Sequence, residues 1–377
     1  MEKGRFLSRL ARNVTAAFGS GKADAESGSA RTGGDRFLSA CLGRDLTGSG
    51  GGFGAAVLEA DGRVIRQTVL KMRAHEIALH PGKSICLAAG RQPGRHSTMI
   101  DLRTGQALFD LGLAADHEFN GHAVFLGTGD ELLTTEEHVE TSLGRLSFYE
   151  SATGRWRRAW SSHGIEPHEA LVDAARGRII IANGGILQRQ AVGEVESSLV
   201  VLDLRDGAIL SKTVLPEELA TLSMRHMALT ATGEVAVAMQ DQDAQSDLRP
   251  LVGVMDLQGG LRLLEIPREI ALTTRGYIGS IAVDRASRIT CATSPKGNVA
   301  MFWSLADDRW LGAIAVADGC GVAPGTAPGE FLLTGGRGDI LRVQALDVAG
   351  KPMAPTASIL TRDSRWQWDN HLTLLTA

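Results

Sequence analysis

Short apolar runs that alternate with polar residues recur along the chain from residue 36 onward, and a tight turn follows each of them. Alternation with a period of two predicts β-strands, and no stretch shows the longer periodicity of a helix. Weaker copies of the run begin at Gly279, Cys320 and His371. The four clear copies are His75-Glu-Ile-Ala-Leu, His122-Ala-Val-Phe-Leu, His168-Glu-Ala-Leu-Val and His226-Met-Ala-Leu-Thr. Their mean spacing of about 49 residues is typical of the four-stranded blades of a β-propeller.

The two ends of the chain complete one further blade. The copy at His371 leaves room for a single strand, whereas three unassigned strands precede the first copy, over residues 36–42, 53–60 and 63–70. Pairing these four strands leaves no open sheet edge. We therefore predict an all-β chain, a single seven-bladed β-propeller of four-stranded blades over residues 36–377. Residues 1–35 are predicted to be a flexible segment, with a degenerate leader followed by a Gly/Ser linker.

Composition narrows the classes of function. The chain has 39 Lys and Arg against 43 Asp and Glu, and a net charge of −4 argues against a nucleic-acid-binding protein. No apolar run approaches the length of a transmembrane helix. The four cysteines form no Cys-x-x-Cys pair, which excludes a zinc ribbon and a dithiol redox motif. We expect a monomer.

Histidines start the first strand in five consecutive blades: His371, His75, His122, His168 and His226. The first strand of a propeller blade lines the central channel, so these side chains are predicted to converge at the channel mouth. Neutral imidazoles around one axis are suitable ligands for a transition metal. We expect His122, His168 and His226 to form the core of a metal site, with His75 as a fourth ligand and His371 after it. The alternative is a structural role, with each ring bonded to a neighbouring backbone group or carboxylate.

Polar residues near these histidines are candidate neighbours at the mouth, because a carboxylate beside a histidine can fix its tautomer. Each of these single residues is more often a solvated loop charge than part of a site. No catalytic residue is assigned, since the chain has no Gly-x-Ser-x-Gly elbow, dinucleotide fingerprint or His-Glu-x-x-His motif. The candidate neighbours are Glu76, Glu169, Arg225, Asn120, Glu166 and Cys320.

Eight ordered motifs give the chain a specific resemblance to the bacterial domain-of-unknown-function family 1513, from about residue 36 to the C-terminus. The resemblance implies a propeller-like fold and an exported, periplasmic protein whose partners are imelysin-like and dihaem oxidoreductase-like proteins of iron uptake. A cytoplasmic location is the alternative, because residues 1–18 lack the apolar core of a signal peptide. The motifs are Gly121-His-Ala-Val-Phe, Gly164-Ile-Glu-Pro-His-Glu, Ala182-Asn-Gly-Gly-Ile, Leu222-Ser-Met-Arg-His-Met-Ala, Tyr277-Ile-Gly-Ser, Thr293-Ser-Pro-Lys-Gly, Cys320-Gly-Val-Ala and Trp368-Asp-Asn-His-Leu.

Three hypotheses for function follow. The first is a non-enzymatic accessory protein of bacterial iron or transition-metal handling, with iron, copper or haem as the candidate cofactor of the histidine-lined mouth. The second is a propeller enzyme, either a metal-dependent hydrolase or an oxidoreductase relative. A hydrolase of that kind favours oxygen ligands, which a mouth dominated by histidine fits poorly. The third is a protein-interaction platform in which the histidines are structural.

Overall fold

Seven antiparallel sheets of four strands form a ring, as the repeat predicts. The structure is a computed structural model that describes residues 35–43, 46, 51–187, 195–243, 248–284, 286 and 288–375. The predicted flexible segment of residues 1–35 lies outside this part except for Asp35, so it stays a prediction. Among the described residues, no helix has the length and apolar character needed to cross a membrane.

The strands follow one another around the ring in chain order. The first three are β1 (Arg36–Gly43), β2 (Gly52–Glu59) and β3 (Val64–Leu70). Blade 1 contains β4 (Ala74–Leu79), β5 (Ile85–Gly90), β6 (Thr98–Asp101) and β7 (Gln106–Asp110). Blade 2 contains β8 (His117–Leu126), β9 (Glu131–His138), β10 (Leu143–Glu150) and β11 (Arg155–Ile165). Blade 3 contains β12 (Pro167–Asp173), β13 (Arg178–Asn183), β14 (Ser198–Asp203) and β15 (Ile209–Val214).

The second half of the ring repeats this order. Blade 4 contains β16 (Leu222–Leu229), β17 (Val235–Asp241), β18 (Val252–Met255) and β19 (Leu261–Leu263). Blade 5 contains β20 (Ser280–Val283), β21 (Ile289–Ser294), β22 (Val299–Ser304) and β23 (Trp310–Ala315). Blade 6 contains β24 (Gly319–Pro324), β25 (Glu330–Gly335), β26 (Asp339–Leu346) and β27 (Pro352–Arg362). Blade 7 combines β28 (Trp366–Leu375) with β1, β2 and β3.

The predicted closure from both ends of the chain is confirmed. Strand β28 pairs antiparallel with β1, with Leu374 opposite Phe37 and Leu372 opposite Ser39. The Ser39 hydroxyl also donates to the backbone oxygen of His371, 3.1 Å away. These contacts hold the inner strand of blade 7 in the ring.

The first strand of each blade is the innermost one. Strands β4, β8, β12, β16, β20, β24 and β28 each contact the next around the ring, and β28 contacts β4. Apolar side chains fill the spaces between neighbouring blades; one cluster joins Leu38 and Ala55 of blade 7 to Ile77 and Ala88 of blade 1. The core is therefore a ring of inter-blade packing, and the inner strands remain available to line the channel.

Among the described residues, three short helical segments depart from the all-strand pattern of the sequence. The helix α1 (Arg268–Thr274) connects blades 4 and 5, and 3-10 turns occur at Ala174–Arg176 and Glu217–Leu219. Ile270 and Ala271 of α1 are buried. These segments are too short to produce a helical periodicity in the sequence, and they leave the all-β fold class unchanged.

Candidate metal centre

The five histidines of the inner strands meet inside the channel. In nine of the ten pairs of rings the centroids lie from 4.5 Å apart, for His75 and His371, to 5.7 Å apart, for His75 and His168. The rings of His168 and His226 are 4.6 Å apart. The strands of blades 1, 2, 3, 4 and 7 thus bring together all five histidines that the repeat singled out. His75, His122, His168 and His226 are buried, with His226 only 1% exposed, whereas His371 is partly exposed.

A β-bulge accompanies each of these histidines. His75 and His168 are themselves the extra residues, since the pairing register shifts between Ala74 and Glu76 and between Pro167 and Glu169. In β16 the extra residue is Arg225, directly before His226. Register shifts also bracket His122 in β8 and His371 in β28. A bulge bends a strand and redirects a side chain, which explains why the rings turn into the channel.

Four of the five rings offer nitrogens to a common point. His75, His122, His226 and His371 each provide one nitrogen, and all four atoms lie within 4.8 Å of one another. The Nε2 atoms of His75 and His371 are 3.2 Å apart. Two nitrogens bound to one ion at about 2.0–2.1 Å in a tetrahedral site lie about 3.3 Å apart. The spacing of this pair is therefore that of two ligands of one ion.

His168 touches the other rings but lies outside this group of four. Its Nδ1 accepts a hydrogen bond from Nη2 of Arg225 at 3.0 Å, and a guanidinium can only donate. The ring hydrogen of His168 therefore sits on Nε2. The same reasoning applies to His75, whose Nδ1 lies 3.2 Å from Nη1 of Arg91, so the distances between the ring nitrogens are what separate His168 from the group of four. The sequence placed His168 in the core of the site and His371 last, whereas the geometry groups His371 with His75, His122 and His226.

Several imidazole nitrogens in this cluster are buried without a hydrogen-bond partner among the described residues. They are Nε2 of His122, Nε2 of His168 and Nδ1 of His226. A buried polar atom without a partner costs about 1–3 kcal/mol. Such a concentration of unsatisfied atoms in one place is not expected of rings that only support the fold.

Most of the four histidines have an oxygen near the nitrogen that faces away from the group. Nδ1 of His122 is 3.0 Å from a carboxylate oxygen of Glu76, and Nδ1 of His371 is 3.4 Å from the Ser280 hydroxyl. Nδ1 of His75 is 3.5 Å from Asp369. Nδ1 of His226 lies 3.6 Å from Glu169, beyond hydrogen-bond distance. Outer partners of this kind orient metal-binding histidines and fix their tautomers.

Burial keeps most of these rings neutral. It lowers the pKa of His75, His168, His226 and His371 well below the ordinary value, and the positive charges of neighbouring rings and arginines lower it further. His122 is the exception: burial lowers its pKa, but Glu169 and Glu76 outweigh that effect and raise it. A metal requires neutral imidazoles, so only His122 must release a proton near neutral pH.

The carboxylates predicted at the mouth separate into two environments. Glu76 and Glu169 form a second potential ligand group with His122. Burial raises the pKa of Glu169 to about 8, and its carboxyl accepts a hydrogen bond from the Met227 amide at 2.8 Å. Glu166 instead pairs with Arg225, with an Nη2–Oε1 distance of 2.7 Å.

The other two predicted neighbours are less directly engaged. Asn120 lies beside the cluster and donates to the carbonyl of Pro167 at 3.0 Å. Cys320 is buried, and its thiol donates to the carbonyl of Asp318 at 2.9 Å. Burial raises the pKa of this thiol, and Cys320 belongs to neither potential ligand group found among the described residues.

Asp369 and Arg91 are the residues that the sequence analysis missed. Asp369 is fully buried and accepts hydrogen bonds from Arg91, at 2.9 Å, and from Arg73. Nη1 of Arg91 also lies 3.2 Å from Nδ1 of His75. A signal was present, because Asp369 precedes His371 by two residues as Glu166 precedes His168.

Comparisons with known proteins give a family and a fold. The model of the family described as "Protein of unknown function (DUF1513)" matches residues 68–375. No curated protein matches the sequence. Hydrazine synthase of Kuenenia stuttgartiensis is similar at a TM-score of 0.59 and 10% identity, covering 82% of this chain and 90% of that chain. The nidogen/laminin complex gives a TM-score of 0.49 and 12% identity, covering 74% and 93%. At 10% identity, the likeness to hydrazine synthase shows a shared fold alone.

Proposed function

This chain belongs to the DUF1513 family of proteins of unknown function, and we propose that it binds one divalent transition-metal ion through His75, His122, His226 and His371. The observation that carries the proposal is the convergence of four imidazole nitrogens, from four different blades, within 4.8 Å of one another. The unpartnered Nε2 of His122 supports it, since a bound ion removes the cost of leaving this atom unsatisfied.

The donor set limits which ions suit the site. Mg²⁺ and Ca²⁺ prefer oxygen ligands, whereas imidazole suits zinc, copper, iron and nickel. Iron and copper, the candidates named from the sequence, both fall in this class. The cavity beside the rings is about 80 Å³. Pockets for drug-sized ligands have volumes of about 300–1,000 Å³, so the small size of this cavity favours an ion over haem.

A calorimetric titration of tag-free protein tests the proposal. We expect EDTA-stripped protein to bind one equivalent of Co²⁺, Cu²⁺, Zn²⁺ or, without oxygen, Fe²⁺. The single changes His75→Ala, His122→Ala, His226→Ala and His371→Ala should each remove the high-affinity step. His168→Ala should keep it.

His80→Ala is the matched control. His80 is also buried, but its Nδ1 accepts from the amides of Gly82 and Lys83 in the β4–β5 turn, away from the ring group. Structural histidines would give the opposite pattern, with no stoichiometric binding by the unmodified protein and destabilisation by every substitution. That outcome would favour the third hypothesis, a protein-interaction platform in which the histidines are structural.

We further propose that the ion serves iron or transition-metal handling in the bacterial periplasm, in a binding role without catalysis. The eight sequence motifs shared with the family support this role, as does the all-nitrogen donor set. Fractionation of the native host with an antibody against the chain, followed by metal analysis of the isolated protein, tests it. A cytoplasmic location, or protein free of transition metal, would contradict it.

A further inference from the structure

Two carboxylates of the inner strands lie beside the four-histidine group without belonging to it. Glu76 is in β4 and Glu169 is in β12. One oxygen of Glu76 lies 3.0 Å from Nδ1 of His122, and one oxygen of Glu169 lies 3.6 Å from Nδ1 of His226. Each carboxylate is therefore next to a proposed metal ligand, at the nitrogen that faces away from the group.

Backbone amides of the following blade hold both carboxylates in place. The amide of Ala123 donates to Glu76 at 3.2 Å, and the amide of Met227 donates to Glu169 at 2.8 Å. Glu169 is buried, whereas Glu76 is partly exposed. A glutamine side chain also has an oxygen that accepts from such amides. The charge of either residue can therefore be removed by a Glu→Gln change that keeps these contacts.

The charges of these two carboxylates match that of a divalent ion. In the described part of the chain, neither Glu76 nor Glu169 forms a salt bridge with a lysine or an arginine. The nearby carboxylates of Asp369 and Glu166 are different, because arginines pair with both. Four neutral imidazoles contribute no charge, and a buried ion requires compensation. Glu76 and Glu169 together supply two negative charges beside the ring group.

The negative charge of this pair already acts on one of the ligands. Burial lowers the pKa of His122, but Glu169 and Glu76 outweigh that effect and raise it. Both carboxylates therefore stabilise positive charge at this ring, whether it is a proton or a bound ion. Because the electrostatic energy is proportional to the charge of the ion, the pair stabilises a divalent ion about twice as much as a monovalent one.

We propose that Glu76 and Glu169 are specificity residues that make the site selective for divalent ions over Cu⁺. Cu⁺ is the informative competitor, because it is monovalent and imidazole is a ligand of copper. The two carboxylates act on the charge of the ion and not as its ligands. This inference rests on the proposed metal site and adds the residues that determine which ionic charge the site takes.

The test compares the affinities of tag-free, EDTA-stripped protein for Co²⁺ and, without oxygen, for Cu⁺, by competition with chromophoric chelators. Glu169→Gln and Glu76→Gln should each weaken Co²⁺ binding by about 100-fold and Cu⁺ binding by about tenfold, since the logarithm of the loss doubles with the charge of the ion. Comparing each variant with the unmodified protein cancels the different intrinsic affinities of the two ions.

Glu131→Gln is the matched control. It also removes one negative charge, but Glu131 pairs with Arg158 and belongs to neither potential ligand group found among the described residues. It should change neither affinity. Because Glu76 is partly exposed, Glu76→Gln keeps the test decisive even if Glu169→Gln does not fold.

The outcomes separate this inference from the proposed metal site. If a Gln variant weakens Co²⁺ and Cu⁺ binding by the same factor, the carboxylates only orient the rings, so the selectivity is overturned and the metal site stands. Co²⁺ and Cu⁺ affinities that stay unchanged in both variants would overturn it as well. If the unmodified protein binds neither ion, both proposals fail.

Discussion

At the residue scale, the chemistry of the channel depends on how burial acts on imidazole. Burial opposes the charged form, so His75, His168, His226 and His371 have pKa values well below that of an exposed histidine. The cluster is therefore ready to bind a metal at neutral pH, apart from the proton on His122. We expect metal affinity to fall with decreasing pH below the raised pKa of His122, by about tenfold per pH unit for one displaced proton.

The same shifts predict that the metal-free protein loses stability in acid. Below the unfolded pKa of about 6.5, the unfolded chain binds protons at four histidines that the folded state leaves neutral. Glu169 opposes this trend, because its raised pKa keeps a proton on the folded state. Between pH 6.5 and pH 5.5 the unfolded histidines are on average about three-quarters protonated, so a net uptake of about two protons lowers the free energy of unfolding by about 3 kcal/mol.

Urea denaturation in EDTA at pH 6.5 and pH 5.5 measures this change. His226→Ala removes one of the neutral rings and should reduce the proton uptake by about one. A free energy of unfolding that does not change between these two pH values would show that the rings are not buried in neutral form.

Asp369 should affect both stability and metal binding. Asp369→Asn removes the charge that holds Arg73 and Arg91, and we expect a loss of about 1–3 kcal/mol, since both arginines remain partly hydrated. Metal affinity should fall about 10- to 100-fold, because Asp369 positions Arg91, whose Nη1 lies 3.2 Å from Nδ1 of His75. Asp363→Asn, in an exposed pair with Arg365, is the control and should cost less than about 1 kcal/mol. Equal metal affinity in the two variants would remove Asp369 from the site.

The site could be predicted from the sequence only where its residues recur at one position of the repeat. The five histidines were found because they occupy one position in successive copies. An acidic residue lies two positions before the histidine in two blades, at Glu166 and Asp369, so the repeat carries a weak signal for Asp369. It carries none for Arg91, which has no counterpart at the same position of the other blades. The exclusion of His168 from the four-nitrogen group depends on the distances between ring nitrogens, which no spacing in the sequence indicates.

At the scale of single strands, the bulges determine where the rings point. The sequence placed each histidine at the start of its strand, but His122 and His371 are each the sixth residue of β8 and β28. Polar residues, such as Asn120 in β8 and Asp369 in β28, precede these two histidines because the first half of each strand faces the channel. The apolar alternation therefore predicts strands that are shorter than the observed ones. The extra residue of a bulge cannot be recognised from this alternation.

Gly121 links the bulge of β8 to the metal site. Its φ is +101°, and a Cβ built there would lie 2.8–2.9 Å from the ring of His75. Gly121→Ala should therefore cost about 1–3 kcal/mol of stability and weaken metal binding by displacing His75. Thermal unfolding and metal titration measure the two effects.

Gly127→Ala is the matched control, since Gly127 also has a positive φ of +51° but no atom within 4 Å of a built Cβ. It should lower stability by about 1 kcal/mol and leave metal affinity unchanged. If Gly121→Ala binds metal as Gly127→Ala does, the position of His75 does not depend on this glycine.

At the scale of the whole molecule, the ring brings together residues that are far apart in the chain. His75 and His371 are 296 positions apart, yet their Nε2 atoms lie 3.2 Å from each other because β28 closes the propeller beside β4. The number of blades and this closure were predictable, since both follow from counting strands along a regular repeat. The depth of the rings in the channel was not, because it depends on how seven inner strands pack around one axis.

Closure also predicts the effect of shortening the chain. Deleting residues 366–377 removes β28, exposes the edge of β1 and takes away His371 and Asp369. We expect an aggregating, protease-sensitive product, which size-exclusion chromatography and limited proteolysis detect. Deleting residues 1–34, which the sequence places outside every blade, should give a monodisperse protein. If the variant without residues 366–377 were monodisperse and had an unchanged melting temperature, the closure of the ring by β28 would be contradicted.

The metal site is the central claim, and anomalous diffraction from crystals of tag-free protein loaded with one equivalent of Co²⁺ tests it most directly. We predict a single strong peak at the cobalt edge, about 2.0–2.2 Å from one nitrogen each of His75, His122, His226 and His371. Crystals that show no cobalt between these four rings, or show it only at surface residues, would contradict the account.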